Sequence, residues 1–199
     1  MRHPIRTFTC MLLVLCCTVC GVSAQQDGPV PYTVLMDRHQ YMMASQVTFT
    51  YIQEWDNDWT SLIDTAISRW NSMSFSGATY PNAKKPTFRR VTSSSANCDI
   101  VSYQAQGVSW RGQLISAYPK YGTYVHYGWT EIRLNDYYWE NRSAKNQNTA
   151  LHEMGHRYGL DESNTSSAVM WPQVSTIVYP QQDDKNGVSQ IWYRCSQGN

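Results

Sequence analysis

Charged residues are scarce in this sequence, and neither sign dominates. Lys, Arg, Asp and Glu together make up 16% of the chain, and the formal net charge at pH 7 is +1. A basic stripe or patch, which is the usual footprint of a nucleic-acid-binding protein, is therefore not expected, and we predict no nucleic-acid partner. Aromatic residues are frequent instead, with 8 Trp and 14 Tyr, which favours a loop-rich domain with β-strands over a helical bundle.

Long apolar runs are absent beyond the N-terminus. Arg2, His3 and Arg6 form a basic start, an apolar segment begins at Met11 and extends to about Val22, and small residues stand directly before Gln25. This order is typical of a secretory signal peptide over residues 1–24. The segment is too short to cross a bilayer comfortably, which disfavours a short membrane anchor as the alternative. We therefore expect a secreted, extracellular protein without stable membrane association.

Cysteine is nearly absent from the part of the chain that would remain after cleavage. Four of the six cysteines lie within the first 20 residues, which leaves Cys98 and Cys195. A pair of cysteines in an exported protein predicts one disulfide. Closing a loop of roughly 100 residues stabilises the folded state by on the order of 4–5 kcal/mol in the chain-entropy model. Two buried free thiols are the alternative.

The length of the chain fits one folded domain. About 175 residues remain after the signal peptide, which is enough to bury a single core. Residues 25–46 are polar and contain Pro29 and Pro31, so we expect an N-terminal lead-in or a short pro-segment there. The folded domain is expected over residues 47–199.

The hydrophobic pattern changes from strand to helix early in this domain. Val47–Ile52 alternates between apolar and polar residues, which predicts a half-buried strand. From Trp59 to Trp70 the apolar residues recur at helical spacing, with a cap expected among residues 56–58. The whole order of elements predicts an α+β domain with a twisted sheet and few helices. Further strands are expected at Asp99–Tyr103, Leu114–Ala117 and Thr130–Leu134, further helices at Ala144–Tyr158 and Pro180–Tyr193, and loops at Gly77–Lys85 and Tyr118–Gly128.

One short motif carries recognisable chemistry. His152, Glu153 and His156 form the pattern H-E-x-x-H. On a helix, residues i and i+4 project from the same face, so the two imidazoles can share one zinc ion. Glu153 points about 100° away around the helix axis, where it can reach a zinc-bound water rather than the metal. The spacing thus provides two metal ligands and one general base from a single helical turn.

The residues after this motif offer a third ligand. Gly159 can end the helix in the left-handed conformation, and the following turn can bring Glu162 back to the metal. Asp161 is the competing carboxylate, one residue earlier in the chain. Two further histidines are weaker candidates, because His126 lies in a Tyr- and Gly-rich segment and His39 lies near the expected mature N-terminus.

At this point the sequence resembles the metzincin clan of zinc endopeptidases, and within it the matrixin-like catalytic domains. Their motif H-E-x-x-H-x-x-G-x-x-H is matched from His152 to Gly159, and the segment from Ser167 to Pro172 resembles the matrixin Met-turn, with Met170 as its methionine. The segment from Gln181 to Tyr193 resembles the closing helix of the family. The resemblance covers roughly Val47–Tyr193. It implies a twisted, mostly parallel sheet with an edge strand, two long helices, a Met-turn and a C-terminal helix.

The resemblance also implies an activity and a set of roles. It implies a zinc metalloendopeptidase in which His152, His156 and Glu162 hold one catalytic zinc ion and Met170 forms an apolar floor beneath them. We separately expect a monomer. Glu153 would serve as the general base when zinc-bound water attacks the peptide bond of a protein or peptide substrate. Glu162 departs from the family pattern, which has His at this position, but the small snapalysin-type enzymes are similar in using an acidic residue there.

Substrate contacts and a second metal are less clearly encoded. In metzincins an edge strand pairs with the extended substrate, and the matching residues here are Gln113, Leu114, Ile115, Ser116 and Ala117. Trp171, followed by Val178 and Tyr179, lies where the family builds its specificity pocket, which indicates an apolar or aromatic pocket. Matrixins often bind structural calcium, but the sequence contains no acidic loop that supports it.

Two alternatives of other kinds stay open at this point. One is a catalytically inactive, exported protein- or glycan-binding domain with the same fold, which the replacement of the family histidine by Glu162 suggests. The intact Glu153 counts against it, because a binding domain has no need of a general base. The other is a different metal hydrolase, such as a deamidase.

Overall fold

A five-stranded mixed sheet forms the centre of the domain. The computed structural model describes residues 46–196 except 93–95, 118–119, 122–123 and 126–128. The strands of the sheet, in spatial order, are β2 (Thr87–Arg90), β1 (Gln46–Ile52), β3 (Cys98–Tyr103), β7 (Trp129–Asn135) and β4 (Gly112–Ala117). Only β4 runs antiparallel to its neighbour, and it occupies one edge. The mostly parallel sheet with an edge strand is thereby confirmed.

Strand β1 follows the alternation of its sequence. Val47 and Phe49 are fully buried, while the alternate residues Gln46, Thr48 and Thr50 are partly exposed. Strand β2 was not expected from the sequence, because only Phe88 of its four residues is buried and the others are polar or basic. The expected connection at Tyr118–Gly128 contains, in its described residues, a short antiparallel pair formed by β5 (Lys120–Tyr121) and β6 (Tyr124–Val125).

Three helices accompany the sheet in the described residues: α1 (Thr60–Ser72), α2 (Ala144–Arg157) and α3 (Gln182–Ser196). The first begins after Trp59, whose side chain makes no cap, but the carboxylate of Asp58 accepts the backbone N–H of Thr60 at 2.8 Å. No helix among the described residues is long and apolar enough to cross a membrane.

The start of α3 differs from the sequence expectation. Pro180 was expected in the first turn, but the helix begins at Gln182. The reason is the side chain of Asp184, which accepts the backbone N–H of Gln181 at 2.7 Å and so caps the helix two residues further on.

The helices α1 and α2 pack on each other through large side chains. The indole N–H of Trp70 donates to the backbone oxygen of Leu151 at 2.9 Å. The Trp70 ring lies 5.2 Å from the ring of Tyr158, which in turn stacks on Phe88 of β2 at 4.0 Å. These buried aromatic contacts join α1, the end of α2 and the sheet into one core.

Candidate metal centre

Helix α2 begins with buried polar residues that fix it in place. Its N-cap is Ser143, whose hydroxyl accepts the backbone N–H of Asn146. The amide of Gln147 donates to the backbone oxygen of Leu62 on α1 at 3.0 Å. The amide of Asn148 likewise donates to the backbone oxygen of Ile177 at 2.7 Å, so these two buried amides keep hydrogen bonds to other segments of the chain. The helix therefore presents its next turns in a fixed orientation.

The two histidines of this helix are oriented by backbone carbonyls. Nδ1 of His152 lies 2.9 Å from the oxygen of Val169, and Nδ1 of His156 lies 2.8 Å from the oxygen of Leu160. A carbonyl oxygen can only accept, so each Nδ1 carries the proton and each Nε2 keeps a free lone pair when the ring is neutral. This is the arrangement that metal-binding histidines show.

A glycine turn brings the chain back toward the histidines. Gly159 has φ 94°, a left-handed conformation that favours glycine. Its N–H bonds to the oxygen of His156 at 2.9 Å, and the N–H of Leu160 bonds to the oxygen of Gly155 at 3.2 Å. These two hydrogen bonds define a Schellman motif. The helix thus ends as its sequence predicted, and Glu162 follows the turn.

Glu162 completes a cluster of three ligand atoms. Its Oε1 lies 3.4 Å from Nε2 of His152 and 3.7 Å from Nε2 of His156. Tetrahedral zinc with bonds of about 2.0–2.2 Å places its ligand atoms roughly 3.3–3.6 Å apart, so the three residues fit this ion. Among the described residues these three form the group that can hold a metal ion. Asp161 does not join it, and its carboxylate accepts the backbone N–H of Glu162 at 2.8 Å.

Some predicted residues cannot be placed in this cluster. His39 and His126 lie outside the described residues, as do the signal peptide and nearly all of the lead-in. Cys98 is buried at the start of β3, while the side chain of Cys195 is not described. The disulfide between them therefore stays a prediction.

The charges of the cluster stabilise one another in the metal-free protein. Burial opposes a positive charge on His152, but its hydrogen bond to Glu162 and the nearby Glu153 raise its pKa to about 9. Burial likewise opposes a negative charge on Glu162, but hydrogen bonds to His152 and His156 lower its pKa to about 2. An anionic ligand facing two imidazoles is well suited to a divalent cation.

Glu153 faces the edge strand rather than the three ligands. It is 5% exposed, and burial raises the pKa of its carboxyl, although the two histidines act in the opposite direction. The backbone N–H of Leu114 donates to it. Its Oε2 is buried and has no hydrogen-bond partner among the described residues. The carboxylate is thus held by β4 and keeps one oxygen available.

Met170 lies directly beneath the helix that carries the histidines. It is 2% exposed, and a Cβ atom added to Gly155 would collide with its sulfur. The Asp184 carboxylate accepts the backbone N–H groups of Val169 and Met170 at 3.0 and 3.1 Å. The segment that resembles a Met-turn is therefore fixed from below by the first turn of α3.

A cleft of about 190 Å³ opens beside the cluster. Trp171 lines it as expected, but Tyr179 lies elsewhere, with Arg69 of α1 over its ring at 4.3 Å. Gln113–Ala117 belong to the adjacent edge strand β4, yet the residue of this strand that lines the cleft is Gly112. The lining residues that sequence reasoning missed are Ser109, Trp110, Arg111, Gly112, Asn148, Thr149, Pro172, Gln173 and Val174.

Five of these nine lining residues are polar, and the apolar or aromatic specificity pocket stays a prediction. Their positions depend on contacts between segments that are distant in sequence. Asn148, for example, bonds to Ser175 and Ile177. The alternating and helical patterns of the sequence carry no signal for such contacts.

Comparison with known proteins gives a family for the chain. The profile of the Matrixin family matches residues 38–193 of the 199. A comparison with curated proteins finds no match. The family match includes the motif from His152 to Glu162, the Met170 segment and all but the end of α3. The chain therefore belongs to the matrixin family of metallopeptidases.

Proposed function

We propose that this protein is a secreted zinc-dependent endopeptidase in which His152, His156 and Glu162 hold the zinc and Glu153 is the general base. The observation that supports this most directly is that the Nε2 atoms of the two imidazoles lie 3.4 and 3.7 Å from one carboxylate oxygen of Glu162. Zinc at such a site polarises a peptide carbonyl and lowers the pKa of a water molecule toward neutrality.

Residues near the proposed zinc ligands can account for the proton transfers and for the substrate binding that peptide hydrolysis requires. Burial gives Glu153 a raised pKa, which brings it closer to the value that suits a group that takes up and returns a proton near neutral pH. In the proposed reaction Glu153 takes a proton from the attacking water and delivers this proton to the leaving nitrogen. Among the described strands β4 pairs only with β7, so an extended peptide can bind to its other side, beside the cleft, as an additional strand.

Cleavage of an unfolded protein tests this proposal. Purified residues 25–199 are incubated with casein, with and without a zinc chelator, beside the variants Glu153→Ala and Asp161→Ala. We expect chelator-sensitive cleavage that Glu153→Ala lowers by roughly 100- to 10,000-fold, because this is the usual contribution of a general base. Asp161→Ala is the matched control and should keep its activity and its zinc.

Two outcomes would contradict the proposal. No cleavage by a chain that binds one zinc ion would favour the inactive binding domain. Mass spectrometry of the products separates hydrolysis of the backbone from deamidation of side chains. Products that gain the mass of deamidation with intact peptide bonds would identify a different hydrolase.

A further inference from the structure

Strand β4 leaves an open space at Gly112, and the side chain of Glu153 fills it. A Cβ atom built on Gly112 would lie 2.6 Å from both Cγ and Oε1 of Glu153 and 2.8 Å from Cδ. Carbon atoms in favourable contact are about 3.5–4.0 Å apart. Any other residue at this position would therefore displace Glu153 or be displaced by it.

The backbone conformation of Gly112 does not explain the glycine. Among the described glycines, positive φ angles occur at Gly77, Gly107 and Gly159, and Gly112 is not one of them. A glycine inside a strand weakens the strand and often marks the close approach of another group. Here the approaching group is Glu153, which is almost completely buried.

The same strand also holds the carboxylate by a hydrogen bond. The backbone N–H of Leu114, two residues after Gly112, donates to Glu153. Gly112 thus leaves room for the Glu153 side chain, and the backbone N–H of Leu114 holds its carboxylate. Both Gly112 and Glu153 line the cleft beside the metal cluster, so the position of the carboxylate relative to a bound peptide is set by β4.

We infer that Gly112 is a positioning residue for the general base, an inference that rests on the proposed endopeptidase activity. Moving the carboxylate away from an added Cβ requires a shift of about 1 Å, and a misplacement of this size can reduce catalysis roughly 100-fold. The three atoms nearest to the added Cβ all belong to Glu153 and not to the residues proposed to hold zinc. The backbone of β4 also remains able to bind a peptide. The loss is therefore expected in kcat rather than in KM or in zinc content.

The variant Gly112→Ala tests this, with Thr87→Ala on the opposite edge strand β2 as the control. Thr87 is exposed and does not line the cleft. We expect Gly112→Ala to lower kcat by roughly 10- to 100-fold, with KM and the zinc bound per chain close to those of the wild type. Thr87→Ala should keep its kcat. A Gly112→Ala variant with wild-type kcat would overturn the inference, whereas an inactive wild type would overturn the proposed function instead.

A second measurement covers the case in which Gly112→Ala folds poorly. Thermal unfolding is compared for Gly112→Ala in the wild-type background and in the Glu153→Ala background, which lacks the colliding atoms. We expect the loss of Tm to be smaller in the Glu153→Ala background, because the steric conflict is gone. Equal losses in both backgrounds would mean that the strand itself needs the glycine, and would overturn the inference.

Discussion

Gly155, inside the H-E-x-x-H motif, is a residue whose identity is set by its neighbours. Alanine normally stabilises a helix interior by about 1 kcal/mol relative to glycine. At Gly155, however, an added Cβ would collide with the sulfur of Met170 and approach Cζ2 of Trp70 to 3.1 Å. Overpacking of this kind typically costs about 1–3 kcal/mol.

We therefore expect Gly155→Ala to lower Tm by several degrees, because about 1 kcal/mol corresponds to roughly 2–4 °C in a domain of this size. Differential scanning calorimetry measures the change. The same substitution in a Met170→Ala background should cost less, since the colliding sulfur is absent. A raised Tm for Gly155→Ala would show that helix propensity dominates and that Met170 moves aside.

The pair formed by His152 and Glu162 gives the metal-free protein a characteristic pH dependence. The pKa of His152 rises from 6.5 to about 9, so its stabilising charge is fully present below pH 6.5 and is lost as the pH rises through 9. The pKa of Glu162 falls from 4.5 to about 2, so its contribution is present above pH 4.5 and is lost as the pH falls through 2.

With a chelator present, the contribution of this pair to Tm should therefore be largest between pH 4.5 and 6.5 and should decline toward pH 9. Glu162→Gln should flatten the alkaline decline, because it removes the negative charge that favours protonated His152. Thermal unfolding across this pH range measures both. If Tm fell equally steeply with rising pH in the wild type and in Glu162→Gln, other titratable groups would be the cause of the decline.

At the scale of elements, the wall of the cleft depends on one side chain of α2. The amide of Asn148 donates to the backbone oxygen of Ile177 at 2.7 Å and accepts the N–H of Ser175 at 3.3 Å. Removing it leaves both backbone groups without these bonds, which loosens the segment beside Trp171. We expect Asn148→Ala to accept larger side chains in the cleft, measured as a broadened cleavage profile on a peptide library.

The neighbouring Gln147→Ala is the matched control, because Gln147 is equally buried but bonds to α1 at Leu62. It should lose stability without a change in the cleavage profile. If both variants changed the profile to the same extent, general loosening of α2 would explain the effect, and Asn148 would have no particular role in specificity.

The contribution of the turn after α2 to metal binding can also be tested with one variant and one matched control. Gly159 and Gly107 have φ angles of 94° and 80°, and alanine at either position pays the cost of a left-handed conformation, about 1–2 kcal/mol. Only Gly159 lies between the two parts of the metal cluster. Gly159→Ala should therefore weaken zinc binding in a competition titration, and Gly107→Ala should leave it unchanged. Equal zinc affinities would show that Glu162 reaches the metal without this turn.

These elements also show how far the sequence could be interpreted. Strong periodicity identified β1 and α1, and the glycine spacing identified the end of α2, because each signal lies within one segment of chain. Strand β2 was missed since it buries only Phe88. The start of α3 was misplaced because the side chain of Asp184 bonds to the backbone N–H of Gln181, and the same carboxylate also bonds to Val169 and Met170 in another segment. Local patterns do not report such contacts.

At the scale of the whole molecule, the order of the strands was the feature least accessible from sequence. The sheet order β2-β1-β3-β7-β4 places the last strand of the sheet between the third and the fourth. Hydrophobic alternation indicates which face of a strand is buried but not which strand lies beside it. The family resemblance predicted that β4 is an edge strand. This strand lines the cleft at Gly112, and its Leu114 backbone N–H binds the carboxylate of Glu153.

The predicted disulfide would join the sheet to α3, and its presence depends on whether the protein is exported. Cys98 begins β3 and Cys195 lies in the last turn of α3. If the protein is exported, as we propose, the two should form a disulfide, and the intact mass should be about 2 Da below that of the reduced chain. Burial raises the pKa of Cys98 to about 11, so a free thiol there would react only after unfolding.

Alkylation of the unfolded but unreduced protein, read by mass spectrometry, separates the two states. We expect no label on Cys98 or Cys195 in the protein purified from the culture medium of its own source. We also expect a loss of stability on reduction of on the order of 4–5 kcal/mol, because the bond closes a loop of roughly 100 residues. Cys195→Ser is the control, which should be labelled at Cys98 and be insensitive to reductant. Two labelled cysteines in the wild type would contradict the pairing, and would remove the support that the pair gives to secretion into an oxidising environment.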